Sequence, residues 1–122
     1  MDVQAFWRDV ISQNEAALPS YFAEDAAIFW HCSNERFTVE EYIRANCDYP
    51  GRWDGEIERL QAQGDVVILA GRVFPKGGGA SFHVVSFLTL RGDRIARMDE
   101  YWAEDCPAPP WREEMRIGRP IR

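Results

Sequence analysis

The sequence predicts an α+β domain in which a short N-terminal helical layer packs on a curved antiparallel sheet and encloses an apolar pocket. Three observations predict it. Apolar residues recur at helical spacing only before Tyr49. From Trp53 onward, four long strand-like runs follow one another with short turns between them, and helices grouped before strands are the α+β pattern. Aromatic residues make up 13% of the chain, enough to line a pocket as well as to fill a core.

The elements follow in order. Asp2 caps a helix whose Val3, Phe6, Trp7, Val10 and Ile11 form one apolar stripe ending near Asn14. A shorter helix is expected over Ala16 to Phe22, with Pro19 in its first turn, followed by a polar break at Ala23-Glu24-Asp25. Ala26 to Cys32 reads as a strand and Ser33 to Arg36 as a loop. Thr38 and Glu41 make a capping box that opens a helix with Val39, Tyr42 and Ile43 on its apolar face, and Tyr49-Pro50-Gly51 ends it. Strands are then expected over Trp53–Ala62, Val66–Phe74, Ser81–Leu90 and Ile95–Ala103. They are separated by Gly64-Asp65, by the flexible Pro75–Gly79 loop and by a tight hairpin at Gly92-Asp93. The proline-rich stretch Cys106–Pro110 begins an extended tail over residues 104–122, with Trp111 and Ile117 available to dock it. One domain spanning residues 1–122 is expected, since 122 residues is the size of one domain and no repeat is visible.

Composition narrows the function. A net charge of −6 repels phosphate backbones, so no nucleic-acid partner is expected. No segment approaches the roughly 18 apolar residues of a membrane span, and the N-terminus carries no signal-like run, so a cytoplasmic protein without membrane contact is expected. Cys32, Cys47 and Cys106 are odd in number and lack close spacing, which favours reduced thiols over a disulfide framework or a zinc site. Neither a phosphate-cradling glycine fingerprint nor a Gly-x-Ser-x-Gly elbow is present, and the two histidines lack a matched spacing, so no cofactor and no metal are expected.

The element order resembles the nuclear transport factor 2-like superfamily over nearly the whole chain. Tyr21-Phe22-Ala23-Glu24-Asp25-Ala26 before the first strand, and Gly92-Asp93-Arg94-Ile95 leading to Glu100-Tyr101-Trp102, carry the resemblance. The SnoaL-like branch, which includes small polyketide cyclases, is the most similar. This resemblance implies a cone: a curved, antiparallel or mixed sheet closed by about three N-terminal helices, with a pocket on the concave face. It implies no single function, because members include isomerases, dehydratases, cyclases, hydrolases and transport adaptors.

Candidate site residues follow from strand alternation and from the resemblance. Met98, Glu100 and Trp102 share one face of the last strand, and the resemblance turns that face inward. A carboxylate desolvated there has a raised pKa, as a general acid or base at neutral pH requires. With a two-residue hairpin turn, Phe87 faces Met98, Val85 faces Glu100 and His83 faces Trp102, which brings His83 and Glu100 to one face as a candidate catalytic pair. A one-residue slip puts Ser86 and Val84 inside instead. Trp30 and Cys32 point inward from the first strand and His31 away from the pocket. Phe6 and Tyr42 are expected to complete a ligand-binding set with Trp30, Cys32, Phe87, Met98 and Trp102. The ketosteroid isomerase branch carries its aspartate base where Trp30 stands, its tyrosine near Phe6 and its second acid near Val85 or Ser86; none is reproduced, so that activity is not expected. Arg44 either holds a ligand carboxylate or pairs with Glu40 or Glu41.

Three functions fit: cofactor-free acid/base chemistry (isomerase, dehydratase or polyketide-cyclase type) on a small, largely apolar molecule, non-catalytic binding of such a ligand, or an adaptor working through the convex face of the sheet. A homodimer through that face is expected, because Val84, Leu88, Leu90, Ile95 and Tyr101 read as an outward apolar set.

Overall fold

The computed structural model describes all 122 residues. Helix α1 (Val3–Ile11) is followed by a 3₁₀ turn (Leu18–Tyr21), strands β1 (Phe22–Trp30) and β2 (Glu35–Thr38), and helix α2 (Val39–Cys47). Four long strands complete the sheet: β3 (Trp53–Gln63), β4 (Val66–Pro75), β5 (Phe82–Arg91) and β6 (Arg94–Glu104). A short helix α3 (Pro110–Glu114) lies in the tail. All six strands form one curved sheet in the order β2-β1-β6-β5-β4-β3, antiparallel throughout except that β1 runs parallel to β6. This is the α+β cone.

Capping places both main helices where local chemistry demands them. Asp2 Oδ1 accepts from the Ala5 N–H at 3.0 Å, and Thr38 and Glu41 satisfy each other's backbone donors at 3.2 and 2.9 Å. Phe6, Trp7 and Val10 of α1 and Tyr42 and Ile43 of α2 then bury against Phe22, Ile28, Leu69, Val73, Val84, Leu88, Ile95 and Met98 of the sheet.

One irregularity governs which side chains face the cone. The Gly92-Asp93 hairpin pairs Arg91 with Arg94 and Leu90 with Ile95, as a two-residue turn should, with Gly92 in the left-handed region (φ 65°). The next pair is Thr89 with Arg97, so Ala96 is an extra residue in β6. Beyond this bulge Leu88 faces Met98, Ser86 faces Glu100 and Val84 faces Trp102. A shift of one residue turns every side chain to the other face. Val84, Ser86 and Leu88 are therefore buried inside, whereas His83, Val85 and Phe87 lie outside. The expected inward His83 and Phe87 are corrected by this bulge. So is the expected outward set, because Val84, Leu88 and Ile95 belong to the core.

Three smaller expectations also change. Residues 16–22 form only a 3₁₀ turn, since Phe22 already pairs with Ile95 as the first residue of β1. Ala23-Glu24-Asp25 is part of that strand and not a break; its register jumps between Phe22 and Ala27, so Glu24 and Asp25 bow out into solvent, where Asp25 pairs with Arg91 at 2.9 Å. Glu35 and Arg36, expected in a loop, start the edge strand β2. In the tail Pro110 takes the first turn of α3, which leaves Trp111 and Ile117 exposed instead of docked, and the tail reaches the body through Arg122, which pairs with Glu58 and Glu56.

Helix α1 can sit this close to the sheet because β4 has a glycine beneath it. A Cβ at Gly71 would lie 2.3 Å from Cη2 of Trp7, a buried and rigid ring. Gly71→Ala is expected to push α1 off the sheet and lower stability by about 1–3 kcal/mol, read from the urea unfolding midpoint; an unchanged midpoint would show that Trp7 has room to move.

Candidate ligand pocket

A cavity of about 370 Å³ opens at one end of the cone, between the sheet and the two main helices. Its size lies at the lower end of the range typical of small-molecule sites. Helix α1 contributes Val10 and Ile11, helix α2 contributes Ala45 and Asn46, and the sheet contributes Val73 and a set of aromatic rings. Those rings come from strand ends. Trp30 closes β1, Trp53 opens β3, Phe82 opens β5, and Trp102 lies near the end of β6. Three of them share inward parity with a buried residue two positions away: Trp30 with Ile28, Phe82 with Val84, and Trp102 with Glu100. Tyr49, just beyond α2, adds a fifth ring.

The rings form a continuous arc. Trp30 meets Trp102 at 6.4 Å between centroids, Trp102 meets Phe82 at 6.4 Å, Phe82 meets Trp53 at 6.0 Å and Trp53 meets Tyr49 at 5.5 Å. Neighbouring planes are inclined by 62°, 79°, 55° and 54°, so the rings turn around the cavity and do not stack as a flat layer.

Glu100 lies behind this wall. Its Oε1 accepts the indole N–H of Trp30 at 3.0 Å and of Trp102 at 3.3 Å, and its Oε2 accepts the hydroxyl of Ser86. The carboxyl group is buried, and it does not line the cavity, because the two indoles stand between. Burial raises its pKa, and the Ser86, Trp102 and Trp30 donors offset only part of that rise. Tyr42, fully buried nearby, has its phenol pushed well up, first by burial and next by the charge of Glu100.

Of the residues expected at the site, Trp30, Cys32 and Trp102 line the cavity. Phe6, Tyr42 and Met98 are buried in the core that supports it; Tyr42 meets Trp30 edge-on at 6.3 Å. Phe87 is on the convex face, edge-on to Tyr101. His83 is also on that face, bonded through Nδ1 to Asp105 and lying 3.2 Å through Nε2 from Glu58, so it forms no pair with Glu100. His31 points away from the cavity, 2.7 Å from Asp99 and stacked on Tyr101. Arg44 pairs with Asp48, one turn along α2, and not with Glu40 or Glu41. Sequence reasoning missed Trp53 and Phe82, although their parity with inward Gly55 and Val84 was a usable signal once the register was known. It also missed Gln13 and Glu35. Gln13 takes a left-handed backbone (φ 55°), and its amide donates to the carbonyls of Asn46 and Tyr49, which ties the end of α1 to the end of α2.

Residues 3–106 match the model of the SnoaL-like domain. The chain belongs to that family. No curated protein matches the sequence. Among solved structures, a putative ketosteroid isomerase from Kribbella flavida superposes with a TM-score of 0.80 at 23% identity, covering 98% of this chain and 87% of that one. An NTF-2 like protein of unknown function from Burkholderia xenovorans gives 0.76 at 20% identity, covering 96% and 91%. A hypothetical protein with a ketosteroid isomerase-like fold from Catenulispora acidiphila, in complex with trimethylamine, gives 0.68 at 20% identity, covering 82% and 84%. These likenesses place the SnoaL-like chain in the nuclear transport factor 2-like fold.

Ala at position 100 would orphan three donors in the SnoaL-like core, so Glu100→Ala is expected to cost about 2–4 kcal/mol and to change the near-ultraviolet dichroism of the indoles. Gln fits the same donors, with Oε1 accepting both indoles and Nε2 donating to Ser86. The pKa of Glu100 is higher folded than unfolded, so the folded state holds its proton more tightly. Stability therefore falls as pH rises from the ordinary carboxylate value to the raised one, and the loss is complete above it. Glu100→Gln should remove that component of the slope in urea titrations carried upward in pH from the ordinary carboxylate range; an identical slope in both proteins would assign it to other groups.

Proposed function

We propose that this SnoaL-like protein binds a small, largely apolar molecule in the aromatic pocket. The arc of five rings around a 370 Å³ opening carries this reading. Exposed aromatic surface gathered in a concavity gains most by taking up an apolar guest. The neutral apolar dye N-phenyl-1-naphthylamine is expected to bind with a rise in fluorescence. Ala45→Trp fills the opening from the α2 side and is expected to abolish that rise while the far-ultraviolet spectrum stays unchanged. Equal dye binding by both proteins would move the ligand elsewhere.

A second reading is cofactor-free acid/base chemistry of the isomerase, dehydratase or polyketide-cyclase type. One observation favours it: Glu100, a buried carboxyl with a raised pKa, is one hydrogen bond behind the pocket wall. It requires an indole to swing aside so that Oε1 reaches the ligand, and Glu100 then acts without His83. On any substrate turned over, Glu100→Gln should abolish turnover, and full turnover by that variant would sink this reading.

We also propose a homodimer through the convex face. Phe29, His31, Tyr101 and Phe87 touch in sequence there, and Val85 and Tyr101 remain exposed. No helix is long and apolar enough to cross a membrane, and the three free thiols support a reducing, cytoplasmic setting. Analytical ultracentrifugation is expected to give a dimer that Tyr101→Glu dissociates; a monomeric parent protein would end the proposal.

A further inference from the structure

The pocket has a one-sided chemistry that an apolar guest alone does not explain. Nearly every polar donor in its wall is committed to a partner within the chain. The indole N–H groups of Trp30 and Trp102 go to Glu100, and that of Trp53 goes to the carbonyl of Pro50 at 3.0 Å. The amide of Asn46 donates to the carbonyl of Val10 at 3.0 Å, and that of Gln13 to the carbonyls of Asn46 and Tyr49 at 2.9 and 2.7 Å. Because these partners are carbonyl oxygens, each amide is oriented with its own oxygen left free to accept. Only the Cys32 thiol and the Tyr49 hydroxyl remain as side-chain donors without a partner, beside the long Ser33 contact to the Trp30 carbonyl at 3.5 Å.

The charge is one-sided too. The lining contains no Lys, Arg or His, and its one charged residue is Glu35. Glu35 is directly opposite Trp30 across the β1–β2 ladder and so shares the concave face with it. Its carboxylate has neither an ion pair nor a hydrogen bond within the chain. The neighbouring Arg36 does not neutralise it, because Arg36 takes the other face and covers the ring of Phe29 at 5.6 Å.

Resting on the pocket reading above, we infer that the ligand is a small organic cation, a tertiary or quaternary ammonium group with short alkyl substituents. The inclined faces of Trp30, Trp102, Phe82 and Trp53 surround the alkylated nitrogen, and Glu35 supplies the counter-charge. A ring face attracts a cation through its quadrupole, and several inclined rings do so from several sides. An alkylated ammonium suits this wall better than a primary one, because most of the lining is hydrophobic and its alkyl groups bury against carbon. Carboxylates and phosphates are disfavoured by the same wall, which offers them no cation and almost no donor.

Titration calorimetry at constant ionic strength with choline, tetramethylammonium and 3,3-dimethylbutan-1-ol tests the inference, the last being a neutral isostere of choline. Choline is expected to bind about tenfold or more tighter than the isostere. In Glu35→Gln and in Trp53→Leu the ratio between the two ligands should fall several-fold. Reading a ratio on one variant cancels any loss of folded protein. An isostere that binds as tightly as choline, a ratio unmoved by both substitutions, or no heat from either ammonium ion would overturn the inference. If the naphthylamine dye still binds in those cases, the apolar pocket stands and only its charge preference falls; if the dye fails as well, the pocket reading falls with it.

Discussion

A single extra residue, Ala96, sets the register between β5 and β6, and most of the interior follows from it. On the turn side of this bulge the hairpin pairs as its Gly-Asp turn dictates. Beyond it, each β5 residue meets a β6 partner one position further along. Ser86 is thereby placed opposite Glu100, where its hydroxyl satisfies Oε2. Without the bulge Val85 would stand there, and a carboxylate would face an aliphatic side chain at the bottom of the cone. The same shift carries His83 out of the cone to Asp105 and Glu58, beside the Arg122 end of the tail.

Burying a carboxyl group is costly unless it is hydrogen-bonded on both oxygens. Glu100 meets that condition with two indoles and one hydroxyl, and the consequence reaches the pocket. Holding the N–H edges of Trp30 and Trp102 fixes how those rings stand and leaves carbon surface toward the cavity. The supporting layer is packed without slack. Tyr42 abuts Trp30, Phe22 abuts Tyr42, Phe6 abuts Phe22, and Trp7 fills the space that Gly71 leaves on β4. One anchored acid and one missing side chain thus fix the wall and the height of the helix above it.

The two faces of the sheet divide the remaining chemistry. The concave face holds aromatic rings, oxygen acceptors and one unpaired acid. The convex face holds both histidines, each already paired with acids, together with Phe29, Phe87 and Tyr101. The groups that would have made a neutral-pH proton relay are on the side that suits contact with another chain. This separation is why ligand binding is better supported than proton transfer.

Much of the architecture was legible in the sequence because its signals are local. Helical spacing of Phe6, Trp7 and Val10, the Thr38–Glu41 box and the Gly92-Asp93 turn each act over a few residues, and signals of this kind located the two main helices and five of the six strands, while the closed cone was implied by the family resemblance. Alternation along β6 placed Met98, Glu100 and Trp102 on one face, because a strand's period needs no partner. The β5 lining could not be read in this way, since a bulge has no compulsory residue signature and Ala96 is a plain alanine. Strand β2 was hidden for a similar reason: its four residues are mostly exposed and become a strand only by pairing with β1. The sequence by itself determined that Glu100 shares a strand face with Met98 and Trp102, and the family resemblance turned that face into the cone. Only the tertiary structure decided that Ser86 and not His83 would meet it, because register is a property of two strands together.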